Sequence, residues 1–340
     1  MRLLPHPDAI EFAAGVRDLL RSAADPQALR AAWDSEHGRV PGLWKRLAEV
    51  GVTGLTVPER HGGAGMDLTA ALPVLVETGR AALPEPLVET LAGVALLGAA
   101  PGAVADEWLP RVAAGDAVVA MGEGLQPLVV GAQWADLFLL ADETGVHALA
   151  RDAVQITAEP SLDRGVGLGV VTWQPDSSTV LTGADAGPAA FDWACVAVAA
   201  QLVGLAAAML DMSVRYALQR EQFGRPIGSF QAVKHQLADV YVANAFAVPV
   251  VHRAAWSVAR ALPSRSRDAS HAKHAASLAA ERAARTALQV HAGIGYTYEH
   301  DLHMWMKRTW TLSSQWGDLA FHRGRVARAV LGDAPPPRVP

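Results

Sequence analysis

The C-terminal half of the chain carries long helical patterns, and these constrain the fold more than any other feature. Apolar side chains recur there at helical spacing in four stretches, residues 196–220, 230–261, 266–292 and 318–331. Long helices with one apolar side bury it against one another, so the pattern is typical of a helix bundle. Pro249 is expected to kink the second helix, because proline lacks the backbone donor of a regular helix.

Two other patterns precede these helices. Residues 7 to about 110 show helical spacing, whereas short apolar runs alternate with turn residues from Gly115 onward. Hairpin turns are predicted at 143–145 and 163–165. The sequence therefore predicts an α+β, mainly α, fold in four parts: an N-terminal helical domain at 1–115, a small middle β-domain at 116–190, a C-terminal four-helix bundle at 191–333 and a loose tail at 334–340.

Composition and charge argue against several function classes. Of the 340 residues, 51% are hydrophobic, and the net charge is -5 with no long basic run, so we expect a large core and no nucleic-acid partner. A single cysteine, Cys195, supports neither a disulfide nor a cysteine-based metal site. The N-terminus lacks a signal-peptide pattern, and charges or prolines interrupt the apolar stretches. A soluble cytoplasmic protein with no membrane partner is predicted.

Residues 216–241, YALQREQFGRPIGSFQAVKHQLADVY, have features suited to a nucleotide-like ligand. Arg220 is placed at the end of a long helix, just before a run of helix breakers. A guanidinium there suits a diphosphate, because its fork donates two charge-assisted hydrogen bonds. Phe223 offers a flat face to an adenine, and Gln231 a side-chain amide. The alternative is that Arg220 is a solvated helix-end cation and Phe223 a core residue.

Two segments together carry a family resemblance. Residues 216–241 and residues 287–308, ALQVHAGIGYTYEHDLHMWMKR, closely resemble the two signature regions of the acyl-CoA dehydrogenase family. Residues 54–80 resemble the family's N-terminal helical domain, whereas the β-domain matches poorly. The resemblance implies a helical domain, a β-domain and a four-helix bundle, with FAD as cofactor. Family members remove the α-proton of an acyl-CoA thioester with a carboxylate while the β-hydrogen leaves as hydride to the flavin.

The resemblance also assigns the cofactor contacts. Five residues match family positions that hold FAD: Arg220, Phe223, Gln231, Gln289 and Gly293. The last two match positions where the FAD of a neighbouring subunit passes close to the backbone, and glycine permits that approach because it has no side chain. The family often has two glycines in succession there, whereas this chain has Ala292 before Gly293.

Three histidines, His291, His300 and His303, cluster in the second signature region. They could suggest a metal site, but no carboxylate partner motif accompanies them. A structural or hydrogen-bonding role is favoured, and no metal is predicted.

The residues that the family uses for catalysis are absent. The commoner base position falls on Trp316, and the alternative falls on Ala194. Neither side chain can accept a proton, because indole has no basic lone pair and alanine has no polar atom. Cys195 stands at the position of an arginine that contacts the acyl-CoA. Two nearby carboxylates, Asp192 and Asp318, are both expected to cap helices.

The β-domain departs from the family as well. Residues 121–130, MGEGLQPLVV, lack the Thr-Glu-Pro…Gly-Ser-Asp run that holds the flavin ring and the thioester in the family. Residues 129–142 are the closest match to the strand that follows. A flavin ring held by the chain's own β-domain is therefore not expected.

These features lead to the hypothesis of a non-catalytic subunit. It would complete an FAD site whose flavin ring lies in a second, catalytic acyl-CoA dehydrogenase subunit, in an α2β2 assembly. The chain resembles the small subunits of actinobacterial heteromeric acyl-CoA dehydrogenases, which implies a bulky CoA thioester such as a steroid side chain. Two alternatives stay open: a homo-oligomeric dehydrogenase with Asp318 or Asp192 as a displaced base, and a flavin-free structural or binding protein on the same scaffold.

Overall fold

The computed structural model describes residues 5–122, 127–183 and 186–332. Its N-terminal part is helical, with α1 at Pro7–Ala23, α2 at Pro26–Asp34, α3 at Leu43–Glu49, α4 at Leu68–Arg80, α5 at Leu87–Ala99 and α6 at Ala103–Ala113. Side chains cap three of these starts: His6 accepts from the amide of Asp8, Asp25 accepts from the amide of Ala28, and Asp67 accepts from the amides of Thr69 and Ala70. Such caps satisfy amides that a helix start leaves without partners. The helical character predicted for this region is confirmed.

Strands follow, in two small sheets. They are β1 at Val119–Met121, β2 at Leu128–Val129, β3 at Leu137–Ala141, β4 at Val146–Ala150, β5 at Gln155–Ala158, β6 at Gly169–Thr172 and β7 at Val180–Thr182. One sheet has the order β1-β3-β4-β7 and the other has the order β2-β6-β5. β1 and β3 run parallel, and the other pairs are antiparallel.

The two predicted hairpins differ in their outcome. A tight turn at residues 142–145 joins β3 to β4, as predicted. β5 and β6 also pair, but the chain between them runs from residue 159 to 168 and contains a short 3-10 turn at Arg164–Val166. The predicted hairpin is therefore present as the pairing of β5 with β6, and residues 163–165 lie within a longer connecting loop.

The C-terminal part is helical again. It contains α7 at Gly187–Gln219, the hairpin strands β8 at Glu221–Gln222 and β9 at Arg225–Pro226, and then α8 at Gln231–Ala259, α9 at Arg265–His291, α10 at Leu302–Ser314 and α11 at Leu319–Leu331. α7 begins nine residues before the predicted start at residue 196, and α10 was not predicted. α8 continues through Pro249, so this proline does not end the helix. The predicted α+β, mainly α, fold is confirmed.

Helix α7 lies at the centre of the molecule and packs against α4, α5, α8, α9 and α10. Its contact with α4 depends on glycine. A Cβ at Gly79 would lie 2.1 Å from the carbonyl oxygen of Gln201, and a Cβ at Gly204 would lie 2.1 Å from that of Val76. The two backbones therefore touch, which joins the N-terminal helices firmly to the bundle.

The sequence-based expectation that charges and prolines interrupt every apolar stretch is wrong for α7. Among the described residues, this helix alone is long and apolar enough to cross a membrane. Most of its residues from Ala190 to Met209 are buried inside the structure, as in the core helix of a globular fold.

Candidate functional site

The first signature segment forms the end of α7 and an exposed hairpin. Arg220 is the C-terminal cap residue of α7, and its amide donates to the carbonyl of Tyr216 at 2.8 Å. Phe223, at the tip of the hairpin, is 91% exposed and has a φ of 54°. Arg225 lies over the ring of Phe230, with its guanidinium carbon 4.1 Å from the centroid. The helix-end position predicted for Arg220 is confirmed, and the alternative that Phe223 is a core residue is wrong.

The second signature segment forms the end of α9 and the turn after it. Gln289 is exposed on the last turn of α9. Ala292 has φ 53° and ψ -135°, a conformation that normally requires glycine, so the backbone is strained here. A Cβ added at Gly293 would meet nothing within 4 Å in this chain. This chain's own packing therefore leaves the space in front of Gly293 open.

An aromatic stack joins the two segments. Tyr216 of α7 stacks on His291 at the end of α9, with ring centroids 4.4 Å apart, and His291 meets His300 at 4.6 Å. His291 donates from Nδ1 to the carbonyl of Ala287 at 2.7 Å, and burial lowers its pKa, so the ring is neutral. The stack holds the end of α7 and the turn after α9 next to each other.

The five predicted cofactor residues share one property, which is exposure. Arg220, Phe223, Gln231, Gln289 and Gly293 are all exposed, and we call this set the cofactor-facing surface. Within the described part of the chain, the side chains of Arg220, Gln231 and Gln289 have no hydrogen-bond or ion-pair partner. Donors with this freedom can bind a ligand without first breaking an internal contact.

The three clustered histidines make packing contacts. His291 and His300 belong to the stack with Tyr216, and His303 lies between Trp33, at 5.5 Å, and Tyr298, at 4.8 Å. Burial and the nearby charge of Lys307 lower the pKa of His303 to about 4, so its ring is neutral near pH 7. In the described ranges, no group of three His, Cys, Asp or Glu side chains is placed to hold a metal ion.

The two base positions implied by the resemblance meet inside the protein. Ala194, Cys195 and Trp316 are each 0% exposed, and we call these three residues the filled position. The Cys195 thiol donates to the carbonyl of Trp316 at 3.5 Å, and the ring of Phe191 lies edge-on to the indole at 5.8 Å. At the position where the resemblance implies a catalytic carboxylate, this chain therefore has an indole that is sealed from solvent.

Polar contacts fix the backbone on both sides of Trp316. His322 donates from Nε2 to the carbonyl of Trp316 at 2.8 Å, and Lys273 donates to the carbonyls of Ser313 and Gly317 at 3.1 Å each. Trp316 has a φ of 57°, which is unusual for a bulky residue. Burial and the charge of Lys273 lower the pKa of His322 to about 3. These contacts hold the indole in one place.

The two carboxylates considered as displaced bases are both engaged elsewhere. Asp318 caps α11 by accepting from the amide of Phe321 at 2.8 Å, as predicted. Asp192 does not cap a helix, because α7 begins five residues before it. Its buried carboxylate pairs with Arg325 at 3.0 Å and Arg265 at 3.8 Å and accepts from the hydroxyl of Ser266. This carboxylate is buried and already engaged by two arginines and a hydroxyl, so it is not presented to a substrate.

A pocket of about 320 Å³ lies beside the filled position, between the β1-β3-β4-β7 sheet and the starts of α7 and α11. Its lining is mainly apolar and includes Phe191 and Phe321. Of its two charged residues, Arg325 pairs with Asp192, and Asp142 accepts hydrogen bonds from Thr144. The described lining therefore offers no free base to a molecule in this pocket.

Two buried glutamates were missed by the sequence reasoning. Glu85, just before α5, pairs with Arg39, and Glu89 on α5 accepts from the amide of Gln315, the neighbour of Trp316. Burial raises the pKa of Glu85 to about 7 and also raises that of Glu89. The cavity that both line is only about 10 Å³, room for about one water molecule, so no acyl group reaches them. The sequence signal that could have revealed them is the placement of two glutamates, four residues apart, within an apolar stretch.

Comparison with known families identifies the chain. Residues 6–116 match the acyl-CoA dehydrogenase N-terminal domain, and residues 182–331 match the acyl-CoA dehydrogenase C-terminal domain. The acyl-CoA dehydrogenase IpdE2 of Mycolicibacterium smegmatis is 39% identical over 296 residues, which cover 86% of this chain and 89% of the relative. The chain belongs to the acyl-CoA dehydrogenase family.

Solved structures of related proteins share the fold. The ChsE4-ChsE5 complex from Mycobacterium tuberculosis superposes with a TM-score of 0.89 at 24% identity, covering 98% of this chain and 100% of that chain. The Tcur3481-Tcur3483 steroid ACAD G363A variant superposes with a TM-score of 0.87 at 26% identity, covering 95% of this chain and 98% of that chain. The acyl-CoA dehydrogenase fold therefore extends over nearly the whole chain.

The acyl-CoA dehydrogenase cofactor, FAD, fits the cofactor-facing surface in part. Free donors at Arg220, Gln231 and Gln289, an exposed ring at Phe223 and open space at Gly293 suit a nucleotide that arrives from outside the chain. The filled position, in contrast, leaves no room for a catalytic carboxylate in this chain, because its three residues are fully buried. The stretch 121–130, expected to lack the flavin-holding run, lies partly outside the described residues.

Proposed function

We propose that this chain is a non-catalytic subunit of a heteromeric, FAD-dependent acyl-CoA dehydrogenase. It would complete an FAD site whose flavin ring is held by a second, catalytic subunit, in an α2β2 assembly in the cytoplasm. The observation that carries this proposal is the contrast between an exposed cofactor-facing surface and a base position filled by the buried indole of Trp316.

FAD, when bound, accepts the hydride that leaves the β-carbon of the acyl-CoA. The residues of this chain would bind the other end of the cofactor. Arg220 would donate to a diphosphate oxygen, Phe223 would pack on the adenine, and the amides of Gln231 and Gln289 would donate or accept at its edges. The proton at the α-carbon would be removed by a carboxylate of the partner.

Two of the similar structures support a partner. The names ChsE4-ChsE5 and Tcur3481-Tcur3483 each join two gene products, and the second is described as a steroid ACAD. We therefore propose a bulky, steroid-type CoA thioester as the substrate class. It would bind in the partner, because the described pocket beside Phe191 offers no free base.

The alternatives are less well supported. A homo-oligomeric enzyme needs a displaced base, and Asp192 is held by two arginines while Asp318 caps a helix. A flavin-free scaffold does not account for the exposed donors Arg220, Gln231 and Gln289, which have no described partner. It also does not account for Gly293, which this chain's own packing does not require to be a glycine.

Turnover of the co-purified complex tests the division of labour. An essential general base contributes roughly 10²–10⁴-fold to the rate. Asp318→Asn in this chain is expected to leave turnover within a few-fold of wild type, whereas Glu→Gln at the partner's family base position should abolish it. A loss of several hundred-fold from Asp318→Asn, with FAD content and assembly intact, would place the base in this chain and contradict the proposal.

A further inference from the structure

An arginine of the N-terminal helices holds the loop that follows the cofactor-facing surface. Arg30, on α2, directs all three guanidinium nitrogens to residues 298–301. Nε donates to the carboxylate of Asp301 at 2.6 Å, Nη1 donates to the carbonyl of Tyr298, and Nη2 donates to the carbonyl of Glu299 at 2.9 Å. Arg30 and residues 298–301 are about 270 residues apart in the sequence, so only the tertiary fold brings them together.

A second set of contacts holds the same loop by its side chain. The Lys307 amine of α10 donates to the Tyr298 hydroxyl at 3.1 Å and lies 4.3 Å from the centre of its ring. Trp33, one turn after Arg30 on α2, lies 5.3 Å from the same amine. His303 packs between Trp33 and Tyr298. The loop is therefore bound to α2 through its backbone and to α10 through Tyr298, and α10 in turn packs on Trp33 of α2.

The same loop carries part of the cofactor-facing surface. Residues 292–301 connect α9 to α10, and Gly293 lies at the start of this connection. The stack of Tyr216, His291 and His300 fixes the α9 end, and Arg30 fixes the α10 end. A Cβ at Gly293 would meet nothing within 4 Å, so the outer side of the turn is open, whereas Gly295 packs against Leu288 and His291. The two anchors therefore hold the ends of the connection that contains Gly293.

We propose that Arg30 is a positioning residue for FAD bound across the subunit interface. This inference rests on the proposed function. By holding residues 298–301, Arg30 keeps the strained turn at Ala292 and Gly293 in the arrangement that receives the cofactor. Lysine cannot replace it fully, because an ammonium is a single point donor and cannot reach a carboxylate and two carbonyls in a fixed fork.

FAD binding and amide hydrogen exchange of the purified complex test the proposal together. Arg30→Ala should speed exchange in residues 292–301 and raise the FAD dissociation constant about three- to tenfold, the range expected when a bound loop must be ordered on binding. Arg30→Lys should give an intermediate result, and Asp301→Asn a smaller change in the same direction. Arg46→Ala is the control, because Arg46 is an exposed arginine on the neighbouring helix α3 and should change neither quantity.

The outcomes separate this inference from the proposed function. The positioning role would be overturned if Arg30→Ala left amide exchange unchanged, or if it speeded exchange without changing FAD binding. In either case, a loss of FAD in Arg220→Ala would still support the proposed function. Unchanged FAD binding in both Arg30→Ala and Arg220→Ala would overturn both. A full recovery by Arg30→Lys would show that charge alone acts, and would also contradict the inference.

Discussion

The cofactor-facing surface and the filled position lie at opposite extremes of packing. In the first, Phe223 is 91% exposed and Arg220 has no described side-chain partner. In the second, Ala194, Cys195 and Trp316 are fully buried, and His322 and Lys273 hold the surrounding backbone. Under the proposed function, the difference teaches that a family scaffold keeps the half of a site that serves a neighbour exposed and closes the half that would serve itself.

The largest effect should come from the carboxylate beside the filled position. Asp192→Asn is expected to lower the free energy of unfolding by about 3 kcal/mol, because it removes the buried charge that pairs with the part-exposed guanidinium groups of Arg325 and Arg265. Urea unfolding of wild type and variant in the same assembly state measures this, with Asp239→Asn on the exposed face of α8 as control. A stable Asp192→Asn protein with several hundred-fold lower turnover would make Asp192 the displaced base instead.

The cofactor-facing surface should respond in the opposite way. Arg220→Ala is expected to leave the unfolding free energy of the isolated chain unchanged, because the side chain is exposed and has no hydrogen-bond or ion-pair partner among the described residues. In the complex it should weaken FAD binding by about 1.5–3 kcal/mol, the value of a charge-assisted hydrogen bond, or roughly tenfold to more than a hundredfold. Equilibrium dialysis measures FAD retention, with Arg323→Ala as an exposed control. Equal retention in both variants would remove Arg220 from the site.

Local sequence signals predicted the exposed half of this comparison well. The breaker run after Arg220 marks the end of α7, and Asp318 is followed by a regular helix, so both positions could be predicted from neighbours in the chain. The sequence also shows that Trp316 cannot act as a base, because the residue type alone decides this. The residues that the indole contacts could not be predicted from the sequence.

The buried half depends on partners far away in the sequence. Asp192 looks like a cap, but α7 begins earlier than its apolar pattern suggests, and the arginines that pair with Asp192 lie on α9 and α11. Glu89 meets Gln315 and Arg30 meets Asp301 across more than 200 residues. No spacing rule along the chain reports such contacts, so the sequence reasoning missed them.

A smaller effect should follow pH at the filled position. The pKa of His322 is lowered to about 3, below its ordinary value near 6.5, so folding favours the neutral ring. Its stabilising contribution is complete above pH 6.5 and is lost as pH falls from there toward 3. Between pH 7.5 and pH 5, wild type should lose about 2 kcal/mol more than His322→Gln, because the unfolded histidine binds a proton and the folded one does not. Urea unfolding at the two pH values measures this loss. If wild type and His322→Gln lost the same unfolding free energy, the buried neutral state of His322 would be contradicted.

Flavin stoichiometry tests the central claim most directly. The chain is purified alone and together with its proposed catalytic partner, an acyl-CoA dehydrogenase subunit that keeps the family base, and FAD is counted from its absorbance after release from the protein. The account predicts little or no FAD in the isolated chain, because its β-domain is expected to lack the run that holds the flavin ring, and about one FAD per heterodimer in the complex. One FAD per chain in a pure homo-oligomer would contradict it.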